Sequence, residues 1–287
     1  MDKLRVGTRK SKLSLKQTDM ALQALKGAHP TLETEIVPFH TRGDKILDKP
    51  LWEIGNSGKG LFASEFEEMI LNDEIDIAIH SGKDLPLFLA EGLEIIGVLE
   101  RDDPRDVLVM PMGRRPEEVK IIGTGSLRRQ QCAAKIFPWA ECKLIRGNIH
   151  TRLQKLMNGC FDAIILAKAG LDRMGITEAD GYTFRVLSTE EFLPAACQGI
   201  IVAEGRPELA ELAGKMTHEE TKWVFETERE VLMLLNADCS EPAAAFAELE
   251  GGNIRLRAMY GEIYAEGTAP VAERLKLAAE VVGRLRG

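Results

Sequence analysis

The feature that most constrains the fold is an alternation of short apolar runs with helical segments along the first two-thirds of the chain. The runs have the length of buried strands, and the segments between them repeat apolar residues every three or four positions. Chains of this kind fold into open sheets with helices on both faces. The predicted strands are residues 4–7, 34–38, 75–79, 93–99, 106–110, 120–125, 142–145, 161–167 and 200–203, and the predicted helices are residues 12–25, 61–71, 127–137, 149–157 and 208–215.

The pattern changes after residue 216. A long helical segment at 217–236 is followed by three strands at 243–249, 254–260 and 263–266 and by an amphipathic helix at 271–285. Three consecutive strands after an α/β run indicate a separate α+β domain with an antiparallel sheet. With 287 residues, the chain has room for two or three domains.

The charge balance points to a small anionic ligand. The chain carries 37 basic and 45 acidic side chains, a net charge of −8, which argues against a general nucleic-acid binder. The arginines are nevertheless concentrated in the middle of an acidic protein, which indicates a cleft for a polyanionic ligand. They are Arg101, Arg105, Arg114, Arg115, Arg128, Arg129, Arg146, Arg152 and Arg173.

One predicted strand ends in a cluster of polar residues. In the stretch DIAIHSGKDLP, the apolar run is followed at once by Ser81, Lys83 and Asp84. Open α/β sheets bind their ligands at the carboxyl ends of strands, so a binding or catalytic site is expected here. The alternative is an ordinary surface turn held by a salt bridge.

Arginines also follow three successive strands. Ser126 caps a helix whose first turn holds Arg128 and Arg129, although positive charge is unfavourable at that end of a helix unless an anion is bound there. The next two junctions carry Arg152 and, in a predicted turn with the sequence AGLDRMG, Arg173. Parallel strands bring such junctions to one edge of the sheet, and the planar guanidinium suits carboxylates. Chance clustering of surface arginines is the alternative.

A similar junction occurs near the amino terminus, where Arg9 precedes a helix capped by Ser11, and ordinary capping is the alternative there.

Several other classes of site are excluded. The five cysteines show no CxxC spacing and the five histidines no HExxH pair, so neither a disulfide framework nor a metal is predicted. The segment 41–60 is long for a connection, and its GNSGKG end lacks the spacing of a nucleotide-binding loop. Neither a membrane span nor an apolar leader core is present, which predicts a cytoplasmic protein.

Taken together, these segments resemble the porphobilinogen deaminase (hydroxymethylbilane synthase) family over nearly the whole length. The resemblance rests on the order of GTRKSKLSLKQ, TRGD, GKGLF, DIAIHSGKDLP, RDDPRD, GTGSLRRQ, IRGNIHTRL, DAIILAKAGLDRMG and LPAACQG. It implies two doubly wound α/β domains similar to periplasmic binding proteins, with a cleft between them, and a small α+β domain. The expected boundaries are 1–99 with 199–216, 100–198, and 217–287.

The resemblance implies an enzyme that condenses four porphobilinogen molecules head to tail into hydroxymethylbilane with loss of ammonia. A dipyrromethane cofactor, bound covalently as a thioether of Cys239, would prime the chain. Asp84 would be the catalytic carboxylate, and residues 41–60 would form a flap. The family is generally monomeric. The carried-over cofactor-binding residues are Ser81, Lys83, Thr124, Ser126, Arg128, Arg129 and Arg146; the substrate-binding residues are Arg9, Ser11, Phe62, Arg152, Arg173 and Gln198.

The sequence departs from the family pattern at several positions. Gly82 stands where methionine is usual, Ser14 where alanine is common, and Cys197 where glycine is usual; Cys239 follows Asn-Ala-Asp instead of two glycines.

A different class of function also fits the two-lobed layout and the arginines, namely a non-catalytic anion-binding protein. It would bind its ligand reversibly, tolerate Asp84→Asn and release no ammonia from porphobilinogen. A nucleic-acid binder is the least favoured, since aromatic residues are not interleaved with the basic ones.

Overall fold

The computed structural model describes residues 3–39, 63–237 and 241–287. Three sheets organise these residues: two mixed sheets of five strands and one antiparallel sheet of three. Among the helices of the described ranges, none combines the length and apolar character needed to cross a bilayer. Phe62, Cys239 and the predicted flap at 41–60 lie outside the described residues.

The first sheet has the order β2-β1-β3-β10-β4. Strand β1 is parallel to β2 and β3, whereas β10 returns from much later in the chain and runs antiparallel to β3 and β4. The strands are β1 (Leu4–Arg9), β2 (Thr34–Phe39), β3 (Ile77–Ser81), β4 (Glu94–Val98) and β10 (Ile201–Gly205), and the helices are α1 (Lys12–Ala28), α2 (Ser64–Leu71) and α6 (Ala210–Gly214).

The second sheet has the order β7-β6-β8-β5-β9. Strand β6 is parallel to β7 and β8, so the junctions that follow these three strands lie at one edge, as expected. Its strands are β5 (Asp106–Pro111), β6 (Ile121–Gly123), β7 (Glu141–Lys143), β8 (Ala163–Ala167) and β9 (Tyr182–Val186), and its helices are α3 (Leu127–Ile136), α4 (Ile149–Met157) and α5 (Lys168–Arg173).

The third unit is an antiparallel sheet, β11 (Ala243–Glu250), β12 (Asn253–Tyr260) and β13 (Ile263–Pro270), with α7 (Glu219–Leu235) and α8 (Arg274–Arg286). Alternate residues of a strand face opposite sides. Ala245 and Ala247 accordingly share a core with α7 and α8, whereas Phe246 packs into the core of the second sheet. The predicted fold class, two doubly wound α/β units with an α+β unit, is confirmed; the domain boundaries stay a prediction.

Two crossover segments, 99–105 and 187–200, connect the first sheet with the second. Glu228 of α7 is fully buried and binds both segments: its carboxylate accepts hydrogen bonds from Arg101 Nη1 at 2.6 Å and from the Cys197 amide at 2.6 Å. It also accepts from the Ala247 amide of β11 at 2.7 Å. One carboxylate therefore joins both crossovers to the third unit.

We expect Glu228→Gln to lower the free energy of unfolding by about 3–5 kcal/mol, because it leaves the Arg101 guanidinium buried without its counter-charge. Urea unfolding measures the change. Glu226→Gln on the same helix is the control, since Glu226 pairs with Arg274 at the partly exposed surface, where such pairs contribute at most about 1 kcal/mol. Equal losses in the two variants would contradict the role assigned to Glu228.

Candidate active site

Strand β3 delivers Lys83 and Asp84 to the carboxyl edge of the first sheet. The strand is buried up to His80, and a single 3₁₀ turn over Gly82–Asp84 follows it. The Gly82 amide donates to the carbonyl of Ile200 at 2.9 Å, so the turn is fixed against the second crossover. Asp84 is therefore held in a short, anchored turn, half-buried, beside the segment that connects the two α/β units.

Lys83 points into this junction. Its Nζ donates to Gln198 Oε1 at 3.2 Å, and Gln198 Nε2 donates to Asp106 Oδ1 at 3.1 Å. Burial lowers the pKa of Lys83 to about 8; the positive charge of Arg129 acts in the same direction, and Asp84 opposes it. The lysine is thus a cation that the protein alone does not fully compensate.

The low pKa of Lys83 predicts a pH-dependent stability of the cofactor-free protein. Between pH 8 and 10.5 the unfolded chain binds more protons than the folded chain, so the free energy of unfolding rises with pH. The penalty for burying the charged lysine, up to about 3 kcal/mol, is complete below pH 8 and absent above pH 10.5. Unfolding of Lys83→Met across this range should lack the rise. An identical slope in both proteins would contradict the assignment.

Arg128 and Arg129 lie in the first turn of α3 and are almost completely buried. Each donates one Nη2 hydrogen bond to Asp106, at 2.8 and 2.7 Å respectively. Their Nη1 atoms donate to the carbonyls of Leu193 and Ile165 at 2.6 and 3.0 Å. Asp106 therefore supplies part of the negative charge that two arginines in the first turn of a helix require.

Asp106 was not predicted as a site residue. It is the first residue of β5, which begins where the strand was predicted, and it ends the string RDDPRD. Two arginines in the first turn of a helix were the signal that required an anion nearby. Nothing in the sequence identified which of the 45 acidic residues supplied it.

Arg152 adds a third guanidinium to the cluster. It belongs to α4, which Asn148 caps, and its Nε donates to the Gly147 carbonyl at 2.7 Å. The pKa of Arg152 is lowered to about 10, mainly by burial; the charges of Arg129 and Arg146 act in the same direction, and Asp84 opposes them. Burial also lowers the pKa of Arg146. The charge of Asp84 thus acts on Lys83 of the first α/β unit and on Arg129 and Arg152 of the second.

Four other predicted residues have hydroxyl groups that are hydrogen-bonded within the chain. Ser81 Oγ accepts from Gln17 Nε2 at 2.8 Å, Ser11 caps α1, and Thr124 Oγ1 accepts from the Ser126 amide at 3.2 Å. Ser126 itself caps α3. These hydroxyl groups shape the turns that carry the charged side chains.

The remaining predicted residues are arranged differently. Arg173 donates to Asp102 at 2.7 Å and to the Gly199 carbonyl at 2.6 Å, so it is bound to the two crossovers and not grouped with Arg128 and Arg129. Arg9 ends β1 at the same edge of the sheet as Ser81 and is half-buried. The ligand-binding roles of these residues remain predictions.

Two departures from the family pattern are neighbours in space. Cys197 has a positive φ of 60°, a conformation that glycine adopts more readily. A Cβ placed on Gly82 would lie 3.0 Å from Cys197 Cβ and 3.3 Å from the Phe225 ring. A side chain at position 82 would therefore compete with the cysteine, so the glycine and the cysteine are compatible as a pair.

The charge of the cluster fits a ligand with carboxylate arms. Four cations (Lys83, Arg128, Arg129 and Arg152) face two carboxylates (Asp84 and Asp106), which leaves two positive charges uncompensated among these groups. Within the described residues, the buried Nε atoms of Arg128 and Arg129 have no hydrogen-bond partner. A ligand with several carboxylate groups would supply the negative charge that these side chains lack.

Comparisons with known proteins point to one family. The family described as "Porphobilinogen deaminase, dipyromethane cofactor binding domain" matches residues 4–213. The porphobilinogen deaminase of Acetivibrio thermocellus is 42% identical over 268 residues, which cover 91% of this chain and 90% of the relative. That of Syntrophobacter fumaroxidans is 42% identical over 269 residues, covering 92% and 85%. Since this family match spans most of the chain and these relatives are 42% identical over nearly its whole length, the chain belongs to the porphobilinogen deaminase family.

Proposed function

We propose that this chain joins four porphobilinogen molecules head to tail into the linear tetrapyrrole hydroxymethylbilane and releases ammonia at each addition. The observation that carries this proposal is the uncompensated positive charge around Asp84, which suits a substrate whose every unit carries two carboxylates. Covalently bound dipyrromethane would supply the pyrrole carbon from which the product grows. The cytoplasmic location and the monomeric state belong to the same proposal.

Asp84 would stabilise the positive charge that develops on the substrate. When the C–N bond of the protonated aminomethyl group breaks, the nitrogen leaves with the bonding pair as neutral ammonia, and the pyrrole becomes a cationic azafulvene. A carboxylate fixed in the turn after β3 can lie against that cation and accept a hydrogen bond from its pyrrole N–H. A second pyrrole then forms the new C–C bond and loses its ring proton, which Asp84 can accept.

The arginines would hold the acetate and propionate arms, so that the reacting carbons meet in one place. Arg128, Arg129 and Arg146 would bind the arms of the cofactor, together with Lys83 and the turns at Ser81, Thr124 and Ser126. Arg9, Arg152 and Arg173, with Ser11, Phe62 and Gln198, would bind incoming units and the lengthening chain. Fixed guanidinium forks bind carboxylates with defined orientation, which lowers the entropic part of the barrier.

The test is incubation of the purified protein with porphobilinogen, followed by measurement of ammonia and of linear tetrapyrrole. We expect one ammonia for each porphobilinogen consumed, and tetrapyrrole as the product. Recovery of intact porphobilinogen from a saturable complex would instead identify a non-catalytic binding protein and would end the proposal.

A further inference from the structure

Asp106 is the most deeply buried carboxylate of the site. It has no exposed surface, and its two oxygens accept from Arg128 Nη2 at 2.8 Å, Arg129 Nη2 at 2.7 Å and Gln198 Nε2 at 3.1 Å. Gln198 also binds Lys83. One aspartate thus contacts two cations directly and a third through an amide, and it connects both α/β units at this point.

A carboxylate in this position provides a counter-charge for two buried guanidinium groups. Two neighbouring guanidinium groups repel each other, and their burial is costly without a counter-charge. A single aspartate compensates only one of them. The carbonyls of Leu193 and Ile165 fix the other side of each guanidinium, while the Nε edges have no acceptor among the described residues. The pair is therefore oriented by the chain but half-compensated.

We propose that Asp106 is a positioning residue, the resident counter-anion that keeps Arg128 and Arg129 oriented before a carboxylate-bearing ligand binds and that leaves part of their charge for that ligand. Asp106 also competes with Asp84 for the neighbouring cations, since Arg129 interacts with both carboxylates. With Arg129 bound by Asp106, Asp84 remains available to the substrate. The nature of the ligand, though not the role of Asp106 as counter-anion, rests on the proposed function.

The proposal predicts that the carboxylates of a bound ligand partly replace the charge compensation that Asp106 provides for Arg128 and Arg129. In Asp106→Asn, a cofactor-free protein must bury two uncompensated guanidinium groups, whereas a cofactor-loaded protein retains the cofactor's carboxylates. Loaded and cofactor-free samples, the latter supplied by Cys239→Ser, are assigned by intact mass and unfolded by heat. We expect Asp106→Asn to lower the thermal midpoint of the cofactor-free form by about 10 °C and that of the loaded form by about half as much.

Asp162→Asn is the matched control. Asp162 also pairs with an arginine, Arg114, and accepts two backbone hydrogen bonds, but it precedes the opposite end of β8. Its replacement should lower both midpoints equally. If Asp106→Asn behaves like this control, Asp106 has only a structural role and the proposal is overturned. Loss of folding in the cofactor-free form alone is the extreme form of the expected result.

A second measurement uses sulfate and does not depend on the cofactor. Sulfate at constant ionic strength should raise the thermal midpoint of cofactor-free Asp106→Asn about twice as much as that of Asp162→Asn, which reports the general effect of sulfate. Equal rises would overturn the proposal. If Asp106→Asn does not fold in either form, Arg129→Gln is measured in its place. Its sulfate response should fall below that of the wild type, and an unchanged response would overturn the proposal.

The two proposals can fail separately. A wild-type protein without the mass of two added pyrroles would contradict the cofactor assignment, yet the sulfate measurement would still test Asp106. A loaded, active wild type with equal sulfate responses in the two variants would instead contradict only the role of Asp106.

Discussion

Asp84→Asn should lower kcat about 10²–10³-fold, the effect expected on removing one fixed electrostatic partner of a transition state. Asparagine keeps the shape of the side chain but cannot neutralise the azafulvene cation or accept the ring proton. The arginines and Lys83 remain, so KM and the amount of bound cofactor should change little. Initial rates of ammonia release, together with intact mass, measure both quantities.

The control for Asp84 is Asp172→Asn. Asp172 is an exposed residue of α5 that pairs with Lys168 in the same helix, and its loss should leave kcat within about twofold of the wild type. If Asp84→Asn kept more than about a tenth of the wild-type kcat, transition-state stabilisation by Asp84 would be refuted.

Cys239→Ser should abolish the mass excess of two pyrrole units, and with it nearly all product formation. A thiolate is a soft nucleophile that forms a stable thioether, whereas a serine hydroxyl is only weakly nucleophilic at neutral pH. Intact-protein mass and colour with an aldehyde reagent for pyrroles provide two independent measurements. Normal cofactor retention by the variant would exclude Cys239 as the attachment residue.

The other cysteines make poor alternatives. Burial raises the pKa of the thiols of Cys132, Cys142 and Cys197, which keeps them protonated. Cys160 is exposed, but it precedes the amino end of β8, whereas the arginines follow the carboxyl ends of the strands. The length of the strand, about 16 Å, separates the two edges. Cys160→Ser is therefore the matched control and should retain the cofactor.

The sequence predicted most of the fold because its strands and helices show clear periodicity. The helix at Ile149–Met157 has the predicted bounds, and the three strands of the third unit were all expected. The prediction missed β9, Tyr182–Val186, although its residues alternate between apolar and polar as in a half-buried strand; in the structure all five are half-buried. It was also wrong about the AGLDRMG segment, predicted as a turn: α5 starts at Lys168 without a side-chain cap and covers its first residues.

The site was less predictable than the fold, because ion pairs join residues far apart in the chain. Local sequence shows that Arg128 and Arg129 need an anion, but their partner lies 22 and 23 positions away. Asp102, which binds Arg173, is 71 positions distant. The period and propensity of a segment describe neighbours within one helix or strand, whereas these pairs depend on how elements distant in the sequence pack together.

Glu228 has a consequence for motion within the molecule. Its carboxylate holds Arg101 on one crossover and the Cys197 amide on the other, and it belongs to the helix that ends three residues before Asp238-Cys239. A rotation of one α/β unit against the other must either carry this helix along or break buried hydrogen bonds. Any change in the separation of the two units would therefore also act on the helix that leads to Cys239, the proposed attachment residue of the cofactor.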